Sequence, residues 1–184
     1  STEFSSKNEI SIVAGFSQSS GSSLSKLYYP SDVAVDSSGN IYVCDPNNNR
    51  VMKYVPGSNE GINIYSGNYY KIKIDSSDNI FLLKSNDHSI IKLTYSDNTY
   101  IESVVAGGNG GGAELNQLSS PQGFDIDKDA NIYIADYSNH RVVKWAPGAS
   151  QGSIVAGGNG EGTALNQVSR PRAVAVNSLG DVYV

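Results

Sequence analysis

The chain copies itself. Ser103–Pro121, SVVAGGNGGGAELNQLSSP, returns fifty residues later as Ser153–Pro171, SIVAGGNGEGTALNQVSRP, and a looser version, SIVAGFSQSSGSSLSKLYYP, opens at Ser11. Self-similarity at a period of this size marks stacked supersecondary units, none of which can bury its own faces alone. A residue that recurs at the same place in every copy is therefore scaffold before it is anything else.

Four aligned segments define the unit: Val33–Val43 (VAVDSSGNIYV), Ile72–Leu82 (IKIDSSDNIFL), Phe124–Ile134 (FDIDKDANIYI) and Val174–Val184 (VAVNSLGDVYV), starting 39, 52 and 50 residues apart. In each, apolar residues alternate with a variable middle position, which predicts a strand with one strictly buried face. An Asp/Asn/Gly turn follows and then a second strand. A β-branched run (Val51–Tyr54, Ile90–Leu93, Val142–Trp145) predicts the third strand. Turns at Pro56-Gly57 and Pro147-Gly148 lead to a fourth at Ile62–Tyr65, Ile101–Ala106 and Ser153–Ala156.

The unit is a four-stranded meander, and its radial stacking is a β-propeller. The expected blades cover residues 28–66, 68–106, 120–157 and, in part, 170–184, with residues 10–15 as the outer strand of a neighbouring blade. That is three complete blades and half of a fourth. The absence of an initiating Met and the stop at GDVYV lead to the expectation that both ends are cut from a longer chain. Open blade edges would then favour self-association.

The pattern Pro-x-Gly-x-x-x-Asp-x-x-x-Asn-Ile-Tyr-x-Ala-Asp-x-x-Asn-His-Arg-Val in Pro121–Trp145, with a second copy in Pro30–Tyr54, a partial one in Pro171–Val184 and a degenerate one in Tyr70–Leu93, resembles the NHL repeat. The resemblance implies an all-β, NHL-type propeller, six-bladed when complete. It also implies contexts such as the substrate-recruiting end of ubiquitin ligases, although no RING or B-box cysteines accompany it here.

Charge narrows the partners. The net charge is −5 and no Lys/Arg run occurs, so neither nucleic acid nor an anionic membrane finds electrostatic support. No apolar stretch approaches the length that spans a bilayer. RNA binding, known for some NHL propellers, is disfavoured by the same acidic balance. The single Cys44, set between Val43 and Asp45, reads as a buried small hydrophobe, and the compartment stays open.

Each chemical motif has a scaffold explanation. His88 and His140 share a repeat position with Asn49, which asks for a hydrogen-bonding side chain rather than a proton shuttle or metal ligand. Asp45 and Arg50 recur as Asp136 and Arg141, and in the second blade both change together, to Lys84 and Ser89, as a structural ion pair would. Asp127-Lys-Asp-Ala-Asn131 begins like a calcium loop but lacks the Gly and the closing Glu. The Gly-rich Ala106–Gly112 and Ala156–Gly162 lack the Lys-Ser/Thr and helix of a phosphate loop, and are expected to be blade-to-blade crossovers with Leu115, Leu118, Leu165 and Val168 tucked beneath as plugs. No catalytic residue, metal ligand or cofactor is assigned.

Strand alternation places the crossovers and the loops between second and third strands on one rim. The expected ligand face comprises Tyr28, Tyr29, Tyr137, Asn139, His140, Arg170 and Arg172, presented to a protein or peptide. The enzyme alternative is a peptidyl-hydroxyglycine amidating lyase, whose propeller is similar to NHL domains and uses a histidine-held metal. No innermost strand here carries a His.

Overall fold

The structure, a computed structural model, describes residues 13–15 and 20–184. It holds three four-stranded antiparallel sheets, each in chain order, and one two-stranded sheet. Blade 1 is β1 (Asp32–Val35), β2 (Ile41–Asp45), β3 (Arg50–Tyr54) and β4 (Ile62–Ser66). Blade 2 is β5 (Ile72–Ile74), β6 (Ile80–Lys84), β7 (Ser89–Ser96) and β8 (Thr99–Gly107). Blade 3 is β9 (Gly123–Ile126), β10 (Ile132–Asp136), β11 (Arg141–Trp145) and β12 (Ser153–Gly157), and β13 (Ala175–Val176) pairs with β14 (Val182–Tyr183). The outer strand expected at residues 10–15 falls largely outside the described residues.

The first turn of every blade is closed by one side chain. Asp36 Oδ1 accepts the backbone N–H groups of Ser38 (3.0 Å) and Asn40 (2.8 Å), and Oδ2 accepts from Asn40 Nδ2 (2.8 Å) and the Tyr42 hydroxyl (3.0 Å). Asp127 repeats this with Asp129, Asn131 and Tyr133, so the calcium-like string is a turn whose carboxylate is already filled by donors. In the fourth segment Asn177 and Asp181 trade places: Asn177 donates Nδ2 to Asp181 at 2.8 Å while its Oδ1 accepts from Leu179 and Asp181. The bond survives with donor and acceptor exchanged. The residue before the last of the turn is left-handed throughout, with Gly39 (φ 80°), Asp78 (60°), Ala130 (60°) and Gly180 (88°). The Pro-Gly turns are also as expected, with Ser58 N–H donating to Val55 O and Ala149 N–H to Ala146 O.

Apolar faces of adjacent blades meet pairwise. Cys44, Val51 and Tyr42 of blade 1 pack on Ile72, Leu82 and Ile91 of blade 2. The far face of blade 2, Phe81, Leu83 and Ile90, packs on Phe124, Ile134 and Trp145 of blade 3. Blade 3 in turn lays Tyr133, Ala135 and Val142 against Val174, Val176 and Val182. Blades 2 and 3 are thus slabs packed by a neighbouring blade on both sides, which is why β6 and β10 read as continuous apolar runs.

Two expectations are corrected. The first strand does not always bury one face: Val33 and Val35 are each 57% exposed, whereas Ile72 and Phe124 are buried. These positions face the preceding blade, and among the described residues none precedes blade 1. The plug residues also divide. Leu118 is fully buried in the blade 2–blade 3 core, but Leu115 is 38% exposed and Leu165 wholly exposed. The crossover leucine lies over its own blade instead: the carbonyls of Leu24 and Leu115 accept from Gly61 and Gly152, at the start of the fourth strands of blades 1 and 3. Residues 175–184 supply no such outer strand for Leu165 to rest on.

Candidate functional site

One rim is built by the long crossovers and the short 3₁₀ turns at Pro46–Asn48 and Tyr137–Asn139. Arg141 is buried and donates Nε to Asp136 Oδ2 (2.7 Å), Nη1 to Ala113 O (2.6 Å), and Nη2 to Glu114 O (3.1 Å) and Gln117 O (3.0 Å). Asp136, fully buried, also accepts from Ser119 N (2.6 Å) and Asn139 Nδ2 (2.8 Å), and that amide reaches on to Gly112 O (2.8 Å). Arg50, Asp45 and Asn48 hold Gly21, Ser22, Ser23, Lys26 and Tyr28 in the same way. The pair is therefore a cage around the crossover that enters its own blade, with every strong donor and acceptor committed.

The cage explains why blade 2 lacks it. Its incoming crossover is only residues 67–71 between β4 and β5, so there is no loop to hold, and Lys84 and Ser89 replace the pair. A pit of about 330 Å³ opens instead, lined by Tyr65, Tyr69, Tyr70, Lys84, Asp87 and Glu102. Glu102 accepts from Lys84 Nζ (3.0 Å) and the Tyr65 hydroxyl (2.8 Å), and Lys84 also meets Asp87 at 3.1 Å. Burial alone would raise the Glu102 carboxyl, but the bonds from Lys84 and Tyr65 outweigh it and hold the group below its ordinary value. Burial likewise opposes the Lys84 charge, and its bonds to Glu102 and Asp87 more than offset that, so its ammonium is held above the usual value. Sequence reasoning did not single out this pit. The signal was present in the short 39-residue spacing and in the two substitutions that accompany it.

The expected face residues are spread along the same rim. The Tyr28 and Tyr29 rings meet at a 55° tilt with centres 5.1 Å apart, and Tyr29 is 72% exposed with φ 52°. Arg172 lies over the Tyr137 ring at 5.7 Å. His140 Nδ1 accepts Arg170 N–H at 3.3 Å, as His88 Nδ1 accepts Ser120 N–H at 3.0 Å, so both histidines clasp the end of the outgoing crossover. Arg170 is paired with Glu161 at 3.4 Å. Asn139 belongs to the cage. Tyr137, Arg170, Arg172 and His140 thus form one neighbourhood, and Tyr28 with Tyr29 another.

Backbone geometry accounts for the shared His/Asn position: Asn49, His88 and His140 all end a 3₁₀ turn in the left-handed region, with φ 55°, 51° and 52°. Asn and His tolerate it better than most side chains. Gly107 and Gly157 then start the crossovers at φ 69° and 70°, where a Cβ would collide with the carbonyl oxygens of His88 and His140. The Gly-rich loop beyond is knit by its own amides, Asn109 Nδ2 donating to Asn116 O and Gln117 Nε2 to Asn109 O. Cys44 is fully buried, and burial pushes its thiol up to about 12, with Asp32 adding to the shift. Among the described residues no three His, Cys, Asp or Glu side chains cluster with metal-ligand geometry, and no helix is long and apolar enough to cross a membrane.

Family and fold comparisons agree with this architecture. The NHL repeat matches residues 27–54 and 118–145, which are the end of the incoming crossover and the first three strands of blades 1 and 3. Residues 27–54 and 118–145 are thus NHL repeats, and the sheets are blades of a β-propeller. It superposes on an auxiliary nutrient binding protein from Bacteroides ovatus with a TM-score of 0.66 at 16% identity, covering 84% of this chain and 44% of that one. A second auxiliary nutrient binding protein, from Bacteroides thetaiotaomicron, gives 0.62 at 15% identity over 80% and 43%. Virginiamycin B lyase from Staphylococcus aureus gives 0.52 at 14% over 83% and 47%. The likeness is one of fold, and this chain spans less than half the length of each of these structures. No curated protein matches the sequence.

Proposed function

We propose that this chain is a non-catalytic binding module that presents its crossover rim to a protein or peptide partner. One observation carries the reading. The rim groups capable of acid–base chemistry are spent on the scaffold: Asp45 and Asp136 within cages, His88 and His140 on backbone N–H groups. What remains for a partner are aromatic and guanidinium side chains, Tyr137, Arg172, Tyr29 and, beside Glu161, Arg170, of the types that anchor interfaces. Both nutrient binding proteins and lyases share the fold, and the positive assignments of the rim groups favour the former. In this reading the blades form part of a six-bladed ring, and Val33, Val35, Leu165 and Tyr183 mark the faces where further blades or a second copy pack.

The test is affinity capture with the intact chain beside the Tyr137→Ala/Arg172→Ala double variant. A protein retained by the first and released from the second supports the proposal. Retention indifferent to the two substitutions refutes it, as does turnover of a hydroxyglycine-terminated peptide by the chain with a bound divalent metal, the signature of the lyase alternative.

A further inference from the structure

Blade 2 also departs from its siblings on the opposite rim. Its β7 and β8 run for eight and nine residues, against five in each of β3, β4, β11 and β12. At roughly 3.3 Å per residue the hairpin stands about 10 Å further out. Asp97-Asn98, with φ 49° and 63°, closes it by the two-residue turn that matches strand twist, where blades 1 and 3 use Pro-Gly. Between this projecting hairpin and β4 lies a groove of about 710 Å³, within the size range of small-molecule sites.

The groove has a definite chemistry. Tyr95 and Tyr100 are cross-strand partners with ring centres 4.9 Å apart, and Tyr95 is 62% exposed. Two charges line it: Asp78 accepts from Ser37 N (2.8 Å) and from the Ser37 hydroxyl, and Lys53 sits over the ring of Tyr42, also in the lining, at 5.3 Å. Asn63, Thr94, Asn98 and Thr99 also line the groove, and none of their side chains has a hydrogen-bond partner among the described residues. An open aromatic face is thus ringed by neutral groups that can both donate and accept.

A sugar ring is the complement of that arrangement. One face of a pyranose is a plane of C–H bonds that packs on an aromatic ring, and its edge is a belt of hydroxyls that donate and accept at once. The lining carries one cation, Lys53 over the Tyr42 ring, and one carboxylate, Asp78, so no net charge selects an anionic ligand. We infer that the groove between β4 and the β7–β8 hairpin binds a neutral saccharide, stacked on Tyr95 and hydrogen-bonded through Asn63, Asn98, Thr94 and Thr99. The inference goes beyond the rim proposal and uses the other side of the blades.

An array of neutral oligosaccharides probed with the intact chain, followed by calorimetric titration of a retained glycan, tests it. Binding is expected to fall at least tenfold in Tyr95→Ala and severalfold in Asn63→Ala/Asn98→Ala. It should be largely kept in Tyr95→Phe and unchanged in Asn166→Ala, an exposed crossover residue on the opposite rim, with circular dichroism confirming that each variant folds. No glycan retained, or one whose affinity ignores Tyr95→Ala, overturns the inference. So does a tetra-alanine peptide that shifts the Asn63 and Asn98 amide resonances when no glycan does.

Discussion

Replacing Arg141 by Ala should damage blade 3 far beyond the loss of one surface ion pair. The guanidinium makes four hydrogen bonds, one to a fully buried carboxylate and three to crossover carbonyls. Hydrogen bonds to charged groups contribute about 1.5–3 kcal/mol each, but they are not additive and water enters the vacated space. Breaking a buried pair from one side costs about 3–5 kcal/mol, because the partner charge is left uncompensated. Against typical stabilities of about 5–15 kcal/mol this is a large fraction. Lys84→Ala in blade 2 supplies the control. Its bridges to Asp87 and Glu102 are partly exposed, so it should cost no more than about 1 kcal/mol. Urea unfolding gives the totals, and native-state hydrogen exchange locates them, with the Ser119 amide, bonded to Asp136, expected to lose protection first. A cost below about 1 kcal/mol for Arg141→Ala, or equal costs for the two variants, would refute the cage argument.

Three further outcomes follow. Ala130→Gly, at φ 60° where two sibling turns already carry Gly, should leave stability unchanged or raise it by up to about 1 kcal/mol, since relief of left-handed strain outweighs the added chain entropy; a loss of that size in thermal unfolding would contradict it. His140→Asn should cost under about 0.5 kcal/mol and His140→Leu more than about 1 kcal/mol, because Asn can both accept Arg170 N–H and occupy φ 52° while Leu can do neither comfortably; equal costs in denaturant melts would sink the explanation. The Glu102–Lys84 pair should give a stability difference between wild type and Glu102→Gln with a plateau at neutral pH. Glu102 is held below its ordinary 4.5, so its share is complete above that value and fades as pH falls through the lower folded value. Lys84 is held above 10.5, so its share is complete below that value and fades as pH rises through the higher folded one. A difference that grows on acidification would show the pair is not stabilising.

The repeat made the blades legible because each strand, turn and crossover appears several times, so chance alternation is filtered out by comparison within the chain. Asp36, Asp75 and Asp127 declared their turn by recurring before Asn, and the paired loss of Asp and Arg in blade 2 pointed to an ion pair. Local pattern did not say what faces each strand: Val33 and Val174 both open a Val-Ala-Val strand, yet Val174 is buried against blade 3 and Val33 is exposed, because burial depends on the blade that precedes it. Leu115 and Leu118 were equally apolar in sequence, and only the path of the crossover separates the buried one from the one at the surface. The pit at Lys84 and the long β7–β8 hairpin went unseen because attention to what repeats hides what does not.

Methyl NOE spectroscopy of the intact chain addresses the fanned arrangement of blades itself. Contacts are predicted between successive blades only: Val51 with Leu82, Leu83 with Ile134, and Val142 with Val174. Contacts from Val43 or Met52, on the outward face of blade 1, to Ile134 or Val142 of blade 3 would mean that the sheets close on one another as a sandwich, and would contradict the propeller.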